Sequence, residues 1–245
     1  RGVFTDGPAA MAAARLSIID VSGGHQPIGI GDGITVAQNG EIYNYVELRG
    51  ELEQAGRQCA TACDTEVIGH LYATHGIKAF TRMRGMFVVS IWDARRRRMI
   101  LARDRVGKKP LYYYRRGQEL LFGSETKAIL AALEQAPPVH AGALLDFFTF
   151  GYVAGPNAIF EGMHRLDPGT ALIIDLDSLA SIQTSTSEGS YGSRNTSIGN
   201  RQVRDAAPDG HTVLAIHQAL LTAAGFRHGD MKALYVTVDD DIDPS

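Results

Sequence analysis

The segment Asn39-Gly40-Glu41 combines residue types that can bind an amide substrate. It sets a glycine between a short amide and a carboxylate, where the apolar run from Ile34 to Ala37 gives way to turn-forming residues. An amide N–H and a backbone N–H can stabilise an oxyanion, and glycine lets a substrate approach the backbone closely. Asn-Gly is equally typical of the tight turn that closes a β-hairpin. The segment alone leaves both interpretations open.

The composition is typical of a globular protein with one large domain, with or without a small appendage. The 245 residues are 44% hydrophobic and 21% charged, and the formal charge of -3 gives no reason to expect nucleic acid or an anionic membrane as partner. The basic run from Arg95 to Arg98 lies between two apolar strands and predicts a solvated hairpin tip. No apolar run is long enough to cross a bilayer and no leader is present, which predicts a cytoplasmic protein.

Two cysteines occur, Cys59 and Cys63. Their spacing is not accompanied by a second Cys or His pair of the kind that zinc sites use. We therefore expect no metal at this pair, and predict thiols that are buried or half-buried.

Short apolar runs dominate the chain up to Leu176, and their β-branched and aromatic residues predict strands. These runs are Arg15 to Ile19, Ile34 to Ala37, Met86 to Trp92, Met99 to Ala102, Leu111 to Tyr114, Leu120 to Phe122 and Ala171 to Ile174. Several follow one another across hairpin-sized connections, which favours antiparallel sheets.

Helical periodicity is confined to four segments, which are Val46 to Ala55, Thr65 to His75, Glu125 to Glu134 and Ala141 to Phe148. Strands in consecutive runs with helices set apart predict a layered α+β domain whose sheet faces are both covered.

The composition changes after Asp177. Residues 1–177 form the predicted domain, and residues 178–200, rich in Ser, Thr and Gly, are expected to form a linker. The tail, residues 201–245, has no predicted fold, although Val213 to Phe226 favours a helix and Leu234 to Val238 a strand. These few elements make a poor independent core.

Eight sequence blocks in order resemble the glutaminase domain of glutamine-hydrolysing asparagine synthetases, which are class II glutamine amidotransferases. The blocks begin with Arg15-Leu16-Ser17-Ile18-Ile19-Asp20, Gly23-Gly24-His25-Gln26-Pro27, Asn39-Gly40-Glu41-Ile42-Tyr43-Asn44 and Asp64-Thr65-Glu66-Val67-Ile68. They continue with Gly85-Met86-Phe87, Ala102-Arg103-Asp104-Arg105, Lys109-Pro110-Leu111-Tyr112-Tyr113 and Ser124-Glu125 followed by Lys127-Ala128. The resemblance covers residues 1 to about 176.

The resemblance implies the N-terminal-nucleophile hydrolase fold, a four-layer α/β/β/α sandwich of two antiparallel sheets. In such enzymes an N-terminal Cys attacks the glutamine amide, and its own α-amino group, with a pKa near about 8, acts as base. The sequence has no such Cys and starts after the corresponding strand. We therefore expect a truncated domain whose first strand is missing, with an exposed sheet edge and marginal stability.

Five residues receive roles from the resemblance. Asn39 and Gly40 would donate to the oxyanion, Arg15 would bind the substrate α-carboxylate, and Glu41 and Asp64 would bind the α-ammonium. Alternatives from the residues themselves remain open: Arg15 as a surface strand residue, Glu41 paired with a nearby cation, and Asp64 as the N-cap of a helix beginning at Thr65.

Two further blocks invite functional interpretation. His25 follows two glycines but is expected to be an ordinary loop histidine, since the mechanism draws its base from the terminal amine. Arg103-Asp104-Arg105 is interpreted as an ion-paired strand end without a catalytic role.

The parent reaction implied by the resemblance converts aspartate, glutamine and ATP into asparagine, glutamate, AMP and pyrophosphate. The ATP and magnesium site would belong to a synthetase domain with a Ser-Gly-Gly-Leu-Asp-Ser-Ser type loop, which this sequence lacks. We expect no cofactor in this chain, glutamine as its small-molecule partner, and an inactive fragment of a parent enzyme that could be a homodimer. The alternatives are a non-catalytic glutamine-binding module and an amidotransferase with another acceptor.

Overall fold

A computed structural model describes residues 1–14, 20, 23–117 and 119–176, together with the backbone of two later strands. Its strands are β1 (Gly2–Asp6), β2 (Ala9–Ala13), β3 (Ile28–Gly29), β4 (Ile34–Ile42), β5 (Gly85–Asp93), β6 (Arg98–Arg103), β7 (Tyr112–Arg116), β8 (Glu119–Gly123), β9 (Met163–Arg165), β10 (Thr170–Asp175), β11 (Ser181–Ser185) and β12 (Tyr235–Thr237). Its helices are α1 (Tyr45–Gln54), α2 (Asp64–His75), α3 (Ala79–Arg82), α4 (Thr126–Leu130) and α5 (Ala141–Phe150), with a 3-10 turn at Gly76–Lys78. The predicted α+β class is confirmed.

The strands form two six-stranded sheets. Sheet 1 has the order β1-β2-β12-β8-β7-β9 and sheet 2 the order β11-β10-β6-β5-β4-β3. Neighbouring strands are antiparallel except for β12, which pairs in parallel with both β2 and β8. Antiparallel pairing agrees with the short connections in the sequence.

Three apolar clusters show how the layers stack. One joins α1, α2 and α3 to one face of sheet 2, and its members include Leu48, Leu71 and Phe80. A second lies between the two sheets and contains Met11, Trp92, Met99 and Phe122 among others. A third packs the outer face of sheet 1 against α4 and the segment that leads into β9. Because sheet 2 is covered on both faces, β5 and β6 have nearly continuous apolar sequences.

Most sequence-predicted elements match the structure. The apolar runs from Ile34, Met86, Met99, Leu120 and Ala171 lie in β4, β5, β6, β8 and β10. The predicted helix from Glu125 to Glu134 is wrong in its length, since α4 covers five residues and turns follow it. The run from Arg15 to Ile19 lies outside the described residues.

The sequence patterns did not predict β1 and β2. In β2, alanines and one methionine alternate between the two faces of sheet 1: Ala9, Met11 and Ala13 face sheet 2, while Ala10 and Ala12 face the α4 side. Alanine has a low strand propensity, so this strand depends on packing on both faces.

Two strands come from the part of the chain after the predicted domain. β11 extends sheet 2 by pairing with β10, at the place where the linker was expected. β12, within the run predicted as a strand, lies between β2 and β8 in the interior of sheet 1. We expected the missing first strand to leave an exposed sheet edge. Instead, the three-residue strand β12 pairs with both β2 and β8. The helix predicted for Val213 to Phe226 lies outside the described residues.

The arginine run forms a hairpin tip between β5 and β6, as predicted. Arg95, Arg96 and Arg97 are exposed there. Arg95 pairs with Asp32 at 3.0 Å, and Arg96 pairs with Asp93 at 2.8 Å. Carboxylates close to the hairpin tip thus pair with Arg95 and Arg96.

No helix in the described part of the chain is long and apolar enough to cross a bilayer.

Helix α5 differs from the other helices because it buries little. Its N-terminus is capped by His140, whose Nδ1 accepts a hydrogen bond from the Ala143 backbone at 3.0 Å, and Gly151 ends it in the left-handed region. Ala143 is its buried residue, whereas its large apolar side chains are exposed; these are Leu144, Leu145, Phe147, Phe148 and Phe150. The helix is therefore held at its ends more than by its face.

The loop after β6 is organised by two charged residues that bind main chain. The Arg103 guanidinium, 5% exposed, donates to the carbonyl oxygens of Lys109, Leu166 and Gly107 at 2.7, 2.5 and 2.7 Å. Burial, with Arg165 nearby, lowers the pKa of Arg103 from its ordinary value. The Asp104 carboxylate is fully buried and accepts from four backbone N–H groups, those of Phe87, Val106, Lys108 and Lys109. The strand end that we expected to be ion-paired is thus held chiefly by hydrogen bonds from Arg103 and Asp104 to main-chain groups of the loop.

We predict that Arg103→Met lowers the free energy of unfolding by about 3 kcal/mol or more, because three carbonyl acceptors lose a charged donor. Arg105→Met is the matched control, since Arg105 is exposed and donates to one carbonyl, that of Thr81. Its expected effect is below about 1 kcal/mol. Urea unfolding followed by circular dichroism measures both. Equal losses in the two variants would show that the Arg103 contacts do not stabilise the fold.

Candidate functional site

Asn39, Gly40 and Glu41 lie in the last part of β4. They are paired with Val88, Phe87 and Met86 of β5, and the strand ends one residue later at Ile42. The hairpin-turn alternative for Asn-Gly is therefore wrong, because both residues are inside a nine-residue strand. The turn predicted beside them comes at residues 43 and 44, before α1 begins.

Gly40 is required by the backbone at its position. Its φ is +128°, and a Cβ there would lie 1.9 Å from the carbonyl oxygen of Met86. A side chain would therefore collide with β5 and would strain the backbone as well. The sequence suggested a glycine here because a substrate could then approach the backbone. The structure gives a second reason, which is that β5 lies too close for any side chain. Gly40 itself is exposed, so its backbone remains accessible.

The Asn39 side chain is held by a bond to sheet 1. Asn39 is 5% exposed, and its Nδ2 donates to Oγ of Ser124, at 3.1 Å, just after β8. A side-chain amide has two N–H donors, so one remains for a ligand while the other fixes the orientation. Ser124 belongs to one of the eight blocks that carry the family resemblance, but no sequence pattern predicts its contact with Asn39.

Asp64 connects helix α2 to the end of β4. It is 3% exposed, and its Oδ2 accepts from the Ile42 backbone at 3.0 Å and from Gln38 Nε2 at 2.9 Å. The N-cap alternative for Asp64 is wrong: α2 begins at Asp64 itself, Cys63 is the N-cap residue, and no side chain caps the helix. The carboxylate therefore points to the strand that carries Asn39 to Glu41.

Around Asp64 lies a buried polar network that the sequence analysis missed. Gln26 accepts from the Gln38 backbone at 2.7 Å and donates to Thr65 Oγ1 at 2.9 Å. Thr65 in turn donates to Gln38 Oε1 at 3.4 Å. A glutamine inside an apolar strand was the available signal, since a buried polar side chain needs partners. The network joins the loop before β3, strand β4 and helix α2.

Glu41 and Arg15 have different outcomes. Glu41 is half-buried, and among the described residues it forms no ion pair, so the proposed pairing with a cation is not seen there. Arg15 lies outside the described residues, one position after Ala14. The structure thus brings Asn39, Gly40, Glu41 and Asp64 to one end of β4, and it does not test Arg15.

The loop before α2 is held by Glu66. Its carboxylate accepts from the backbones of Ala60 and Thr61, each at 2.7 Å, and from Thr61 Oγ1 at 2.6 Å. Burial would raise the pKa of Glu66, but these hydrogen bonds outweigh it and hold the pKa below its ordinary value. The fixed loop leads directly to Asp64.

His25, Cys59 and Cys63, which the sequence analysis also considered, are not among the residues gathered at the end of β4. His25 is exposed in the loop before β3, as a loop histidine would be. Cys63 is buried, Cys59 is half-buried, and neither forms a disulfide. Burial raises the pKa of the Cys59 thiol, Glu66 adds to the effect and Arg49 opposes it. A protonated thiol of this kind is a weak nucleophile.

The site combines an amide donor, an accessible glycine backbone and two carboxylates at one strand end. Its donors suit a carbonyl oxygen that gains negative charge, and its carboxylates suit an ammonium group. Both needs occur together in an amino acid with an amide side chain.

Comparison with known proteins agrees with this chemistry. The sequence profile of the glutamine amidotransferase domain matches residues 1–185. Asparagine synthetase [glutamine-hydrolyzing] 3 of Bacillus subtilis is 38% identical over 169 residues, which cover 67% of this chain and 28% of the relative. A putative asparagine synthetase [glutamine-hydrolyzing] 2 of Methanocaldococcus jannaschii is 35% identical, covering 66% of this chain and 35% of the relative.

The chain spans about a third or less of the length of these two relatives. Among solved structures, glutamine phosphoribosylpyrophosphate amidotransferase from Bacillus subtilis aligns with 22% identity and a TM-score of 0.44, covering 67% of this chain and 32% of that one. The family profile covers well over half of the chain. The chain therefore belongs to the class II glutamine amidotransferase domains and is related to the glutamine-hydrolysing asparagine synthetases.

Proposed function

We propose that this chain provides the glutamine-recognition half of a glutaminase site in an asparagine-forming synthetase. The observation that carries the proposal is the hydrogen bond from the Ile42 backbone to Asp64 Oδ2 at 3.0 Å. It fixes the acidic residue of α2 beside the strand end that carries Asn39, Gly40 and Glu41. Two carboxylates and two potential oxyanion donors are thereby held together by the fold before a substrate arrives.

Each group has a proposed role toward glutamine. The free N–H of Asn39 and the backbone N–H of Gly40 donate to the side-chain amide oxygen, while Glu41 and Asp64 attract the α-ammonium. Arg15 binds the α-carboxylate through its guanidinium fork, a role that rests on the sequence resemblance. The complete domain would be the four-layer α/β/β/α sandwich of the N-terminal-nucleophile hydrolases.

The acceptor reaction is the finer part of the proposal. In the parent enzyme the released ammonia would convert an activated aspartate to asparagine in a second domain, which binds ATP and magnesium. The relatives named above support this reaction over other amidotransfers, since their names specify asparagine synthesis with glutamine hydrolysis. A non-catalytic glutamine-binding module would retain the contacts of Arg15, Asn39, Glu41 and Asp64 and would differ in lacking a nucleophile.

We predict that Glu41→Gln weakens glutamine binding by roughly 10- to 150-fold, because a charged hydrogen bond contributes about 1.5–3 kcal/mol. Glu47→Gln on α1 removes the same charge from an exposed side chain outside the site, and we expect it to bind within twofold of the parent chain. Asp64→Asn tests the second carboxylate while keeping an oxygen that can accept from Ile42. Isothermal calorimetry with L-glutamine measures all four proteins, after circular dichroism has confirmed that each is folded.

L-asparagine, which is one methylene shorter, and L-glutamate provide ligand controls for the same titrations. Weaker binding of both is expected if the amide and the ammonium are recognised at a fixed separation. Absence of glutamine heat from the folded parent chain, or equal affinities in Glu41→Gln and Glu47→Gln, would rule out the proposed contacts.

We predict that the 245-residue chain binds glutamine without hydrolysing it. Both of its thiols are internal, so neither carries the α-amino group that the proposed mechanism uses as base. Cys63 is fully buried and burial raises the pKa of Cys59. A coupled assay for glutamate is expected to give the background rate in the parent chain and in a Cys59→Ser, Cys63→Ser double variant. Release that depends on either cysteine would contradict the prediction.

A further inference from the structure

Cys59, Glu66 and His70 bring a thiol, a carboxylate and an imidazole together at helix α2. One potential ligand atom from each residue lies within 4.8 Å of those of the other two. Glu66 and His70 are four residues apart on α2 and so lie on one face of that helix. Cys59 comes from the irregular segment between α1 and α2. The proposed contacts to glutamine use none of these three side chains.

His70 has a buried nitrogen that finds no partner among the described residues. The residue is 7% exposed, and within that part of the chain its Nδ1 forms no hydrogen bond, whereas its Nε2 lies 3.5 Å from Glu66 Oε1. A buried donor or acceptor left unpaired costs about 1–3 kcal/mol, so natural proteins seldom keep one without a reason. The imidazole therefore retains bonding capacity that the fold leaves unused.

We propose that Cys59, Glu66 and His70 form a zinc site with a fourth position open to water. Thiolate, imidazole and carboxylate are the three ligand types that zinc accepts in proteins. Calcium and magnesium, which prefer oxygen ligands, are disfavoured by the thiol and the imidazole. The site shares Cys59 with the pair Cys59 and Cys63, for which the sequence spacing predicted no metal, but takes its other two ligands from α2 and does not use Cys63.

The geometry is close to what the ion needs. Zinc bonds of about 2.0–2.3 Å in a tetrahedron put ligand atoms about 3.4–3.6 Å apart. Glu66 Oε1 and His70 Nε2, 3.5 Å apart, already have this separation, and because all three ligand atoms lie within 4.8 Å of one another, the inward movement needed is at most about 1 Å. Cys59 can supply it, since its segment forms neither helix nor strand and the residue is half-buried.

Glu66 can bind a metal while it holds the loop. Its two oxygens accept from Ala60 and Thr61, but a carboxylate has about four lone-pair positions. Oε1 also lies 3.5 Å from His70 Nε2. The Arg49 guanidinium donates to the Thr61 carbonyl oxygen and lies near the thiol, where its positive charge favours the thiolate but opposes a bound cation.

Cobalt(II) titration of the metal-free 245-residue chain tests the proposal. A cysteine thiolate bound to cobalt(II) gives a near-ultraviolet charge-transfer band, and tetrahedral coordination gives visible bands. We expect both at one equivalent of cobalt, with the band displaced by zinc chloride. Zinc should also raise the unfolding temperature, because an ion that binds the folded state stabilises it.

Matched serine variants identify the ligand. Cys59→Ser is expected to lose the charge-transfer band and to bind zinc at least tenfold more weakly, and His70→Gln to bind at least tenfold more weakly than the parent chain. Cys63→Ser is expected to keep the band, since Cys63 is buried outside the cluster. No band in the parent chain, a band that survives Cys59→Ser, or a band lost only in Cys63→Ser would each overturn the proposal. Glutamine calorimetry is independent of these outcomes.

Discussion

The arrangement at the end of β4 depends on the two hydrogen bonds that the buried Asp64 carboxylate accepts from this strand. The carboxylate is buried between a helix and a strand, and two donors from β4 satisfy it. A buried carboxylate that loses one such donor becomes costly, so helix and strand are coupled by more than apolar contact. Gln38 and Gln26 extend this coupling to the loop before β3, since Gln26 bonds to both the Gln38 backbone and Thr65. A residue that we propose as a ligand contact thus also joins two elements of the fold.

A similar rule governs the loop after β6. There the buried guanidinium of Arg103 and the buried carboxylate of Asp104 bind carbonyl and N–H groups of the main chain, where a sequence analysis expects a salt bridge. Irregular backbone that is shielded from water has to find partners, and charged side chains are strong ones. Such residues can resemble functional residues in the sequence without touching a substrate.

The sequence predicted the strands that have strong apolar runs, because β5, β6 and β10 are buried on both faces and their composition reflects this. It did not predict the alanine-rich β2, whose small residues become informative only when two layers pack against them. It also overestimated α4, where helical periodicity continues past the residue at which the hydrogen-bonded helix ends.

The site was predicted in outline. The resemblance named Asn39, Gly40, Glu41 and Asp64, and the structure gathers them, while Arg15 lies outside the described residues. Two alternatives could be decided only in three dimensions: the turn at Asn39-Gly40 and the N-cap at Asp64. The hydrogen bond between Asn39 and Ser124 joins two residues that are distant in the sequence. The approach of His70 to Cys59 joins a helix to an irregular segment. A spacing pattern confined to one segment does not contain such contacts.

The exposed face of α5 affects how the chain behaves in solution. Leu145 and Phe148 are 68% and 77% exposed, and several apolar neighbours on the same helix lie in water with them. Each Å² of such surface raises the free energy by roughly 25 cal/mol relative to burial. Sulfate and other excluded salts increase this penalty. We therefore expect this face of α5 to lower the salt concentration at which the chain associates or binds to a hydrophobic column.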